Sequence, residues 1–286
     1  MSSQKIALVT GANSGMGKAT VKALAEKGFF VVMLCRSKER GEEAFDELSK
    51  NFKNIALMLC DLGDMNDIRR FCGEFIKRYD HIDVLINNAG VITLNRQETK
   101  DGLELQFGVN HVGHFLLTTQ LLGVIKNSRT ARIVVVGSGA HKIGKIDFSN
   151  LPLKKGFSVF SAYGRAKLCN LLFTKELARR LLEEKISHVT VNCVHPGAVA
   201  TNMGVDRKTG FGKTIMRILK PFFQTPEKGA TCAIYVATSE EGGRISGEYW
   251  YKSKLQRSSK RSRDIELAKK LWIVSEELVK EKRETP

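Results

Sequence analysis

The chain has 286 residues, 42% of them hydrophobic and 27% charged, a composition that fills a core and excludes disordered and collagen-like chains. Forty-six Lys and Arg against thirty Asp and Glu give a formal charge of +16, which suits an anionic partner such as a phosphorylated cofactor, an acidic membrane surface or nucleic acid. The longest apolar runs fall well short of the roughly 18 residues that a bilayer crossing requires.

Strand-like and helix-like segments alternate from the start. Residues 5–10 form a short apolar run that ends in glycines, and 18–27 has helical spacing. A strand follows at 29–35, a helix at 39–51, a strand at 55–60, a helix at 65–79 and a strand at 82–87. Residues 103–125 read as one helix and 132–136 as a strand. The second half adds a long amphipathic helix at 162–184, a strand at 189–194 that stops at His195-Pro196-Gly197, and a glycine-punctuated segment, 198–224, that reads as a mobile insertion. Thr225 then caps a helix with Pro226 at its first position, 247–251 is a last strand, and 264–282 is a helix. The strands are apolar throughout, as expected for strands covered on both faces. Alternation with helices means βαβ units. The expected fold is α/β and Rossmann-type: a doubly wound, mostly parallel seven-stranded sheet with helices on both faces, forming one domain over 1–286. With four residues ahead of the first apolar run there is no room for a signal peptide or an N-terminal anchor, so a soluble, cytoplasmic protein is expected.

The six cysteines, Cys35, Cys60, Cys72, Cys169, Cys193 and Cys232, contain no C-x-x-C pair and read as buried, reduced thiols. His111, His114 and His141 lack a recognisable third ligand and acidic neighbours, so packed or hydrogen-bonded imidazoles are expected and no metal. His141, close to Ser138 in sequence, is a candidate for the substrate pocket. From Lys252 to Arg263 six cations (Lys252, Lys254, Arg257, Lys260, Arg261, Arg263) occur with no acid. A solvated basic tail is the expectation there, with peripheral membrane contact as the alternative. Nucleic acid is not expected, since no binding motif accompanies the charge and the adjoining aromatics are limited to Trp250 and Tyr251.

The first strand runs into Thr10-Gly11-Ala12-Asn13-Ser14-Gly15-Met16-Gly17 and then directly into a helix. Glycines permit positive φ and close approach of a ligand, and a helix N-terminus favours pyrophosphate. The spacing G-x-x-x-G-x-G differs from the standard dinucleotide fingerprint, yet within a βαβ unit it predicts a nucleotide site. About 20 positions beyond the glycines, where an acid would bind the ribose of NAD, stands Arg36. A guanidinium there suits a 2′-phosphate, and with Lys38 and Arg40 nearby it predicts NADP(H).

Tyr163 and Lys167 are four apart on a predicted helix and share one face. An ammonium beside a phenol lowers its pKa from about 10, which makes the pair a proton-transfer unit. Ser138 after the fifth strand, Asn110 within Asn110-His111-Val112-Gly113, and Asn87-Asn88-Ala89-Gly90 after the fourth all fall at the carboxyl side of the sheet, where open α/β sheets bind ligands.

Taken together, these motifs resemble the short-chain dehydrogenase/reductase family over nearly the whole chain. Asn110-His111-Val112-Gly113-His114-Phe115, Ala166–Leu171 and Leu271-Trp272 are similar to its retinol dehydrogenase-like branch. The resemblance implies that Tyr163 exchanges a proton with the substrate oxygen while hydride moves to or from the nicotinamide. Ser138 would hydrogen-bond that oxygen, Lys167 would hold the nicotinamide ribose, and Asn110 would maintain a helix kink and a proton-relaying water. It further implies cofactor contacts from Gly11, Ser14, Gly15, Met16, Gly17, Arg36, Asp61, Leu62, Asn88, Ala89, Gly90, Tyr163, Lys167, Pro196, Val199 and Thr201. One departure is Gly137-Ser138-Gly139 where the family has Ser-Ser, which keeps Ser138 but predicts a looser loop.

An NADP(H)-dependent oxidoreductase on an apolar alcohol, aldehyde or ketone follows, either a carbonyl reductase or retinol dehydrogenase-like, with NADPH favouring carbonyl reduction. Pocket walls are expected from 140–160 and 198–225, and a homo-oligomer through the two long helices by analogy. The other reading is an NADPH-binding sensor or scaffold that has lost turnover.

Overall fold

The computed structural model describes residues 4–197 and 224–280. Strands β1 (Ile6–Thr10), β2 (Phe30–Cys35), β3 (Ile55–Leu59), β4 (Val84–Asn87), β5 (Ala131–Val136), β6 (Val189–His195), β7 (Tyr249–Tyr251) and β8 (Lys254–Gln256) form one sheet in the order β3-β2-β1-β4-β5-β6-β7-β8. The seven expected strands are present and parallel. An eighth was not expected: β8 runs antiparallel to β7. The turn between them, Lys252 and Ser253, places two consecutive residues at φ 52° and 57°, the left-handed pair of a tight two-residue hairpin. All three β8 residues are exposed, so neither apolar alternation nor burial marks them in the sequence.

Helices cover both faces. On one side α1 (Gly15–Glu26), α2 (Lys38–Ser49) and a helix at Pro226–Thr238 enclose Val21, Leu24, Ala44, Leu48, Val236 and Trp250. On the other, α3 (Met65–Arg78), the segments between β4 and β5, α7 (Val159–Glu183) and a terminal helix (Ile265–Val279) enclose Phe71, Phe75, Phe115, Phe173 and Trp272. There the Phe173 and Trp272 rings stack at 5.9 Å. Local chemistry sets the starts. Asp64 accepts from Asn66 and Asp67 N–H at the head of α3, Thr225 caps ahead of Pro226 as expected, and a Ser158/Ser161 capping box starts α7 at Val159, three residues before the predicted position.

The single helix expected at 103–125 is broken. A short turn, α4 (Leu105–Phe107), leads into a π-helical segment at Gly108–Val112, followed by α5 (Gly113–Gln120) and α6 (Leu122–Lys126). Asn110 sits inside the π turn, fully buried; its Oδ1 accepts from Val91 N–H at 2.7 Å and its Nδ2 donates to Val91 O at 2.9 Å. These two bonds to a neighbouring loop hold the extra residue of the wide turn.

Strand order reverses between β1 and β4, which pair in parallel with Val9 opposite Ile86. The carboxyl ends of these two strands deliver the glycine turn and Asn87–Gly90 to one crevice, the switch point of a doubly wound sheet.

Candidate active site

At the switch point the glycine turn is packed to its steric limit. A Cβ on Gly17 would lie 2.1 Å from Gly11 O and 2.7 Å from Asn88 Nδ2, and Gly11 and Gly15 have φ of 63° and 53°. Ser14 stands at the N-terminus of α1 without a side-chain cap, and no acid occupies the first turn of that helix. An uncapped, acid-free helix start beside backbone that no side chain could crowd fits a pyrophosphate.

Thr10 ties this turn to β4. Its hydroxyl oxygen accepts from Asn88 N–H at 2.9 Å and Ala89 N–H at 2.8 Å. It lies 3.0 Å from His114 Nε2, whose other nitrogen meets Asn110 O at 3.2 Å. If Nδ1–H donates to Asn110, Nε2 is left to accept from Thr10, and every lone pair and proton in the chain has a partner. Asn88 Nδ2 donates to Thr10 O at 2.7 Å, so its amide nitrogen is held by the turn. Gly90 borders Asn110 Oδ1 and Lys167 Nζ, at 3.5 and 4.0 Å from a Cβ built on it.

At the end of β2 Arg36 is exposed, with no acidic partner among the described residues. At the start of α1 and α2 a groove of about 190 Å³ is lined by Asn13, Ser14, Lys18, Arg40, Glu43, Ala44 and Glu47. Lys18 is paired with Glu47, which leaves Arg36 and Arg40 as the cations here without an acidic partner. Arg40, more than Lys38, is the second cation of this region, because Lys38 lies 3.9 Å from Glu42. Asp61 Oδ1 accepts from Gly63 N–H at 2.9 Å. Leu62 is buried against the helix that begins at Gly113, where a Cβ would meet Leu62 O at 2.3 Å.

Beyond β5 the three reactive side chains converge. Lys167 is buried and donates to Val136 O at 2.8 Å, and its Nζ lies 5.6 Å from the Tyr163 ring centroid. Ser138 accepts from Ala140 N–H at 3.2 Å, and its side chain faces the Tyr163 hydroxyl closely enough to favour the phenolate. The expected acidification of the phenol is not what the structure gives. Burial raises the Tyr163 pKa above its ordinary value against the opposing effect of Ser138, and the same burial pushes Lys167 down to about 8. Desolvation outweighs the Ser138 hydrogen bond.

The looser loop expected from Gly137 and Gly139 is also overturned. A Cβ on Gly137 would lie 2.5 Å from Cys193 Sγ, and one on Gly139 would lie 3.3 Å from His195 Nε2. Gly137 N–H donates to Val194 O at 2.8 Å. These glycines are close-packed. His141 does not line a pocket; it is buried, with Nδ1 2.7 Å from Ser138 O and Nε2 accepting from Ser259 N–H at 3.2 Å. His195, a residue the motifs did not single out, stacks on Tyr251 at 4.8 Å.

Residues 5–210 match the short chain dehydrogenase family. Retinol dehydrogenase 14 of Homo sapiens is 40% identical, over 96% of this chain and 86% of that protein, and retinol dehydrogenase 12 of Mus musculus is 40% identical over the same shares. The chain belongs to the short-chain dehydrogenase/reductase family. Within that family of NAD(P)(H)-dependent oxidoreductases it is retinol dehydrogenase-like. A crystal structure of an uncharacterized protein from Mycobacterium paratuberculosis superposes on this dehydrogenase with a TM-score of 0.78 and 31% identity, covering 96% of this chain and 93% of that one.

Other expected contacts of the dehydrogenase divide. Pro196 and Gly197 (φ 83°) follow β6 at the same edge of the sheet, whereas Val199, Thr201 and most of the 198–225 wall lie outside the described residues. In the 140–160 wall, Phe148 and Leu151 pack on the core. No helix among the described residues is long and apolar enough to cross a membrane.

The histidines are hydrogen-bonded as expected: His111 Nε2 lies 3.0 Å from Ser275 Oγ. Burial pushes His111 down to about 3, and His114 and His195 to about 4. Below about pH 6.5 the unfolded chain takes up protons that these folded imidazoles refuse, so stability falls as pH drops from about 6.5 toward 4. Urea midpoints measured across that range should decline steadily; a flat profile would mean that the rings are not buried neutral.

Proposed function

We propose that the protein is an NADP(H)-dependent carbonyl reductase of apolar aldehydes or ketones, retinoid-like compounds among them. The observation that carries this reading is the meeting of Ser138, Tyr163 and Lys167 beside the glycine cradle, with a phenol that is protonated at neutral pH and that burial pushes further from ionisation. A protonated phenol is the form needed to deliver a proton to a carbonyl oxygen. The class of substrate is supported by the retinol dehydrogenases at 40% identity.

When bound, the nicotinamide supplies the hydride to the carbonyl carbon. As negative charge grows on the oxygen, Tyr163 gives it the phenolic proton. Ser138 donates its O–H to the same oxygen, and the bond it accepts from Ala140 N–H sets the hydroxyl's direction. Lys167, anchored on Val136 O, keeps two N–H groups for the nicotinamide ribose. Its ammonium favours the phenolate left after proton transfer. Asn110 acts by position: both ends of its amide are engaged by Val91, which holds the π turn in front of Gly90. Gly11, Ser14, Gly15, Met16 and Gly17 would take the pyrophosphate, Asp61 and Leu62 the adenine, and Asn88, Ala89 and Gly90 the ribose. Pro196, with Val199 and Thr201, would border the nicotinamide.

Arg36 and Arg40 would hold the 2′-phosphate. Replacing both with alanine should weaken NADPH binding by roughly 10–100-fold, the worth of lost charge-assisted hydrogen bonds, with NADH binding unchanged. Equal losses for the two nucleotides, read by fluorescence titration, would remove the case for NADP. The parent activity is tested by NADPH oxidation with a panel of retinal and shorter aldehydes and ketones, where no turnover with any member overturns the reading.

A further inference from the structure

The basic run is not a solvated tail. Its first half is the β7–β8 hairpin, and its second half docks on the turn that follows Ser138: Ser259 N–H donates to His141, and Arg261 donates to Gly144 O at 3.2 Å. This docking sets the turn that carries Lys142 and Lys145 against the segment that carries Lys260, Arg261 and Arg263, and the hairpin just before that segment adds Lys252, Lys254 and Arg257. All eight are exposed, and none has an acidic partner among the described residues. The adjoining acids are engaged elsewhere: Asp147 with Ser149, Asp264 with Leu267 N–H, and Glu266 with Lys269. Among these cations stand three large apolar side chains open to solvent, Ile143 at 58%, Leu255 at 44% and Ile265 at 58%.

We propose that this face docks on an anionic phospholipid surface. Unpaired cations clustered with exposed aliphatic side chains are the combination that an acidic headgroup layer over an acyl boundary rewards, since the charges meet phosphate and serine while the aliphatic tips enter the interface. A nucleic acid would be better served by accessible rings for base stacking. Tyr249 and Trp250 are buried, and Tyr251 is occupied by His195. His141 bridges the docking face to Ser138 O, which sets the reactive serine immediately behind the surface that meets the lipid.

The test is co-sedimentation of the full chain with vesicles of phosphatidylcholine alone and with about 30% phosphatidylserine, at about 0.1 M salt. Retention by the anionic vesicles only, weakening as salt rises, is expected. The triple variant K254S/R257S/K260S should lower partitioning at least about tenfold, since each cation near such a surface contributes about a factor of five. Leu255→Ser should reduce the part of the binding that survives high salt. Circular dichroism and the thermal midpoint check that both variants fold, and they leave Arg261 and His141 in place. The proposal is overturned if anionic vesicles fail to retain the protein, or if the triple variant binds them as well as the parent does. It is also overturned if duplex DNA at equal phosphate concentration strips the protein from the vesicles, which would reassign the face to nucleic acid.

Discussion

Tyr163→Phe should lower kcat/KM for NADPH-dependent aldehyde reduction by about 10²–10⁴-fold, the usual worth of a positioned general acid, while NADPH binding is retained. The substitution removes one oxygen from a half-buried ring and leaves the Lys167–Val136 bond untouched. It therefore separates proton delivery from cofactor binding. Burial raises the phenol further above its ordinary value, so it stays protonated through neutral pH; the parent's reductive turnover should persist there and fall first above about pH 8, where Lys167 loses its ammonium charge, and further where the phenol ionises. A Tyr163→Phe protein as active as the parent would remove the phenol from the mechanism. A parent that binds NADPH but reduces nothing would instead be a sensor.

Glu104→Ala should cost about 3–5 kcal/mol of stability, the typical penalty for leaving one partner of a buried ion pair alone. Glu104 is fully buried and accepts from Arg165 at 2.9 Å. The same carboxylate accepts from Gln106 N–H at 2.8 Å and Phe107 N–H at 3.0 Å, at the start of the segment that carries Asn110. Arg165 lies over the Phe107 ring at 4.9 Å and, two residues from Tyr163, is part of the helix that presents the phenol. Burial alone would drive Arg165 toward its neutral form, and Glu104 opposes that shift. Urea unfolding should register the loss, and adding Arg165→Met should recover part of it by removing the stranded charge. A loss below about 1 kcal/mol would place the pair among weakly contributing surface bridges.

The parallel core of the sheet was legible because strands buried on both faces must be continuously apolar, as Ile6–Thr10 and Phe30–Cys35 are. The glycine turn and the Tyr163/Lys167 spacing were legible because sterics and helical periodicity act over a few residues. What escaped was decided by distant partners. Residues 103–125 keep an apolar pattern through the π turn, so the pattern alone reads as one helix; the family resemblance placed a kink at Asn110, and the two bonds from Asn110 to Val91, 19 residues away, make it. Strand β8 has no buried residue to betray it, so Lys254 and its basic neighbours read as a tail. The Glu104–Arg165 pair spans 61 residues with no local signature. The Tyr163 pKa was misjudged for a related reason: spacing revealed the ammonium but not the depth of the site, and depth dominates.

All six thiols lie inside the protein, and burial makes each harder to ionise, raising Cys35 to about 11 and Cys72, Cys169 and Cys193 to about 12. The soft nucleophile toward an electrophilic aldehyde or enone is the thiolate, and at neutral pH the folded chain holds almost none. On the function proposed above, the thiols are thus shielded from alkylation by the enzyme's own substrates for as long as the chain stays folded.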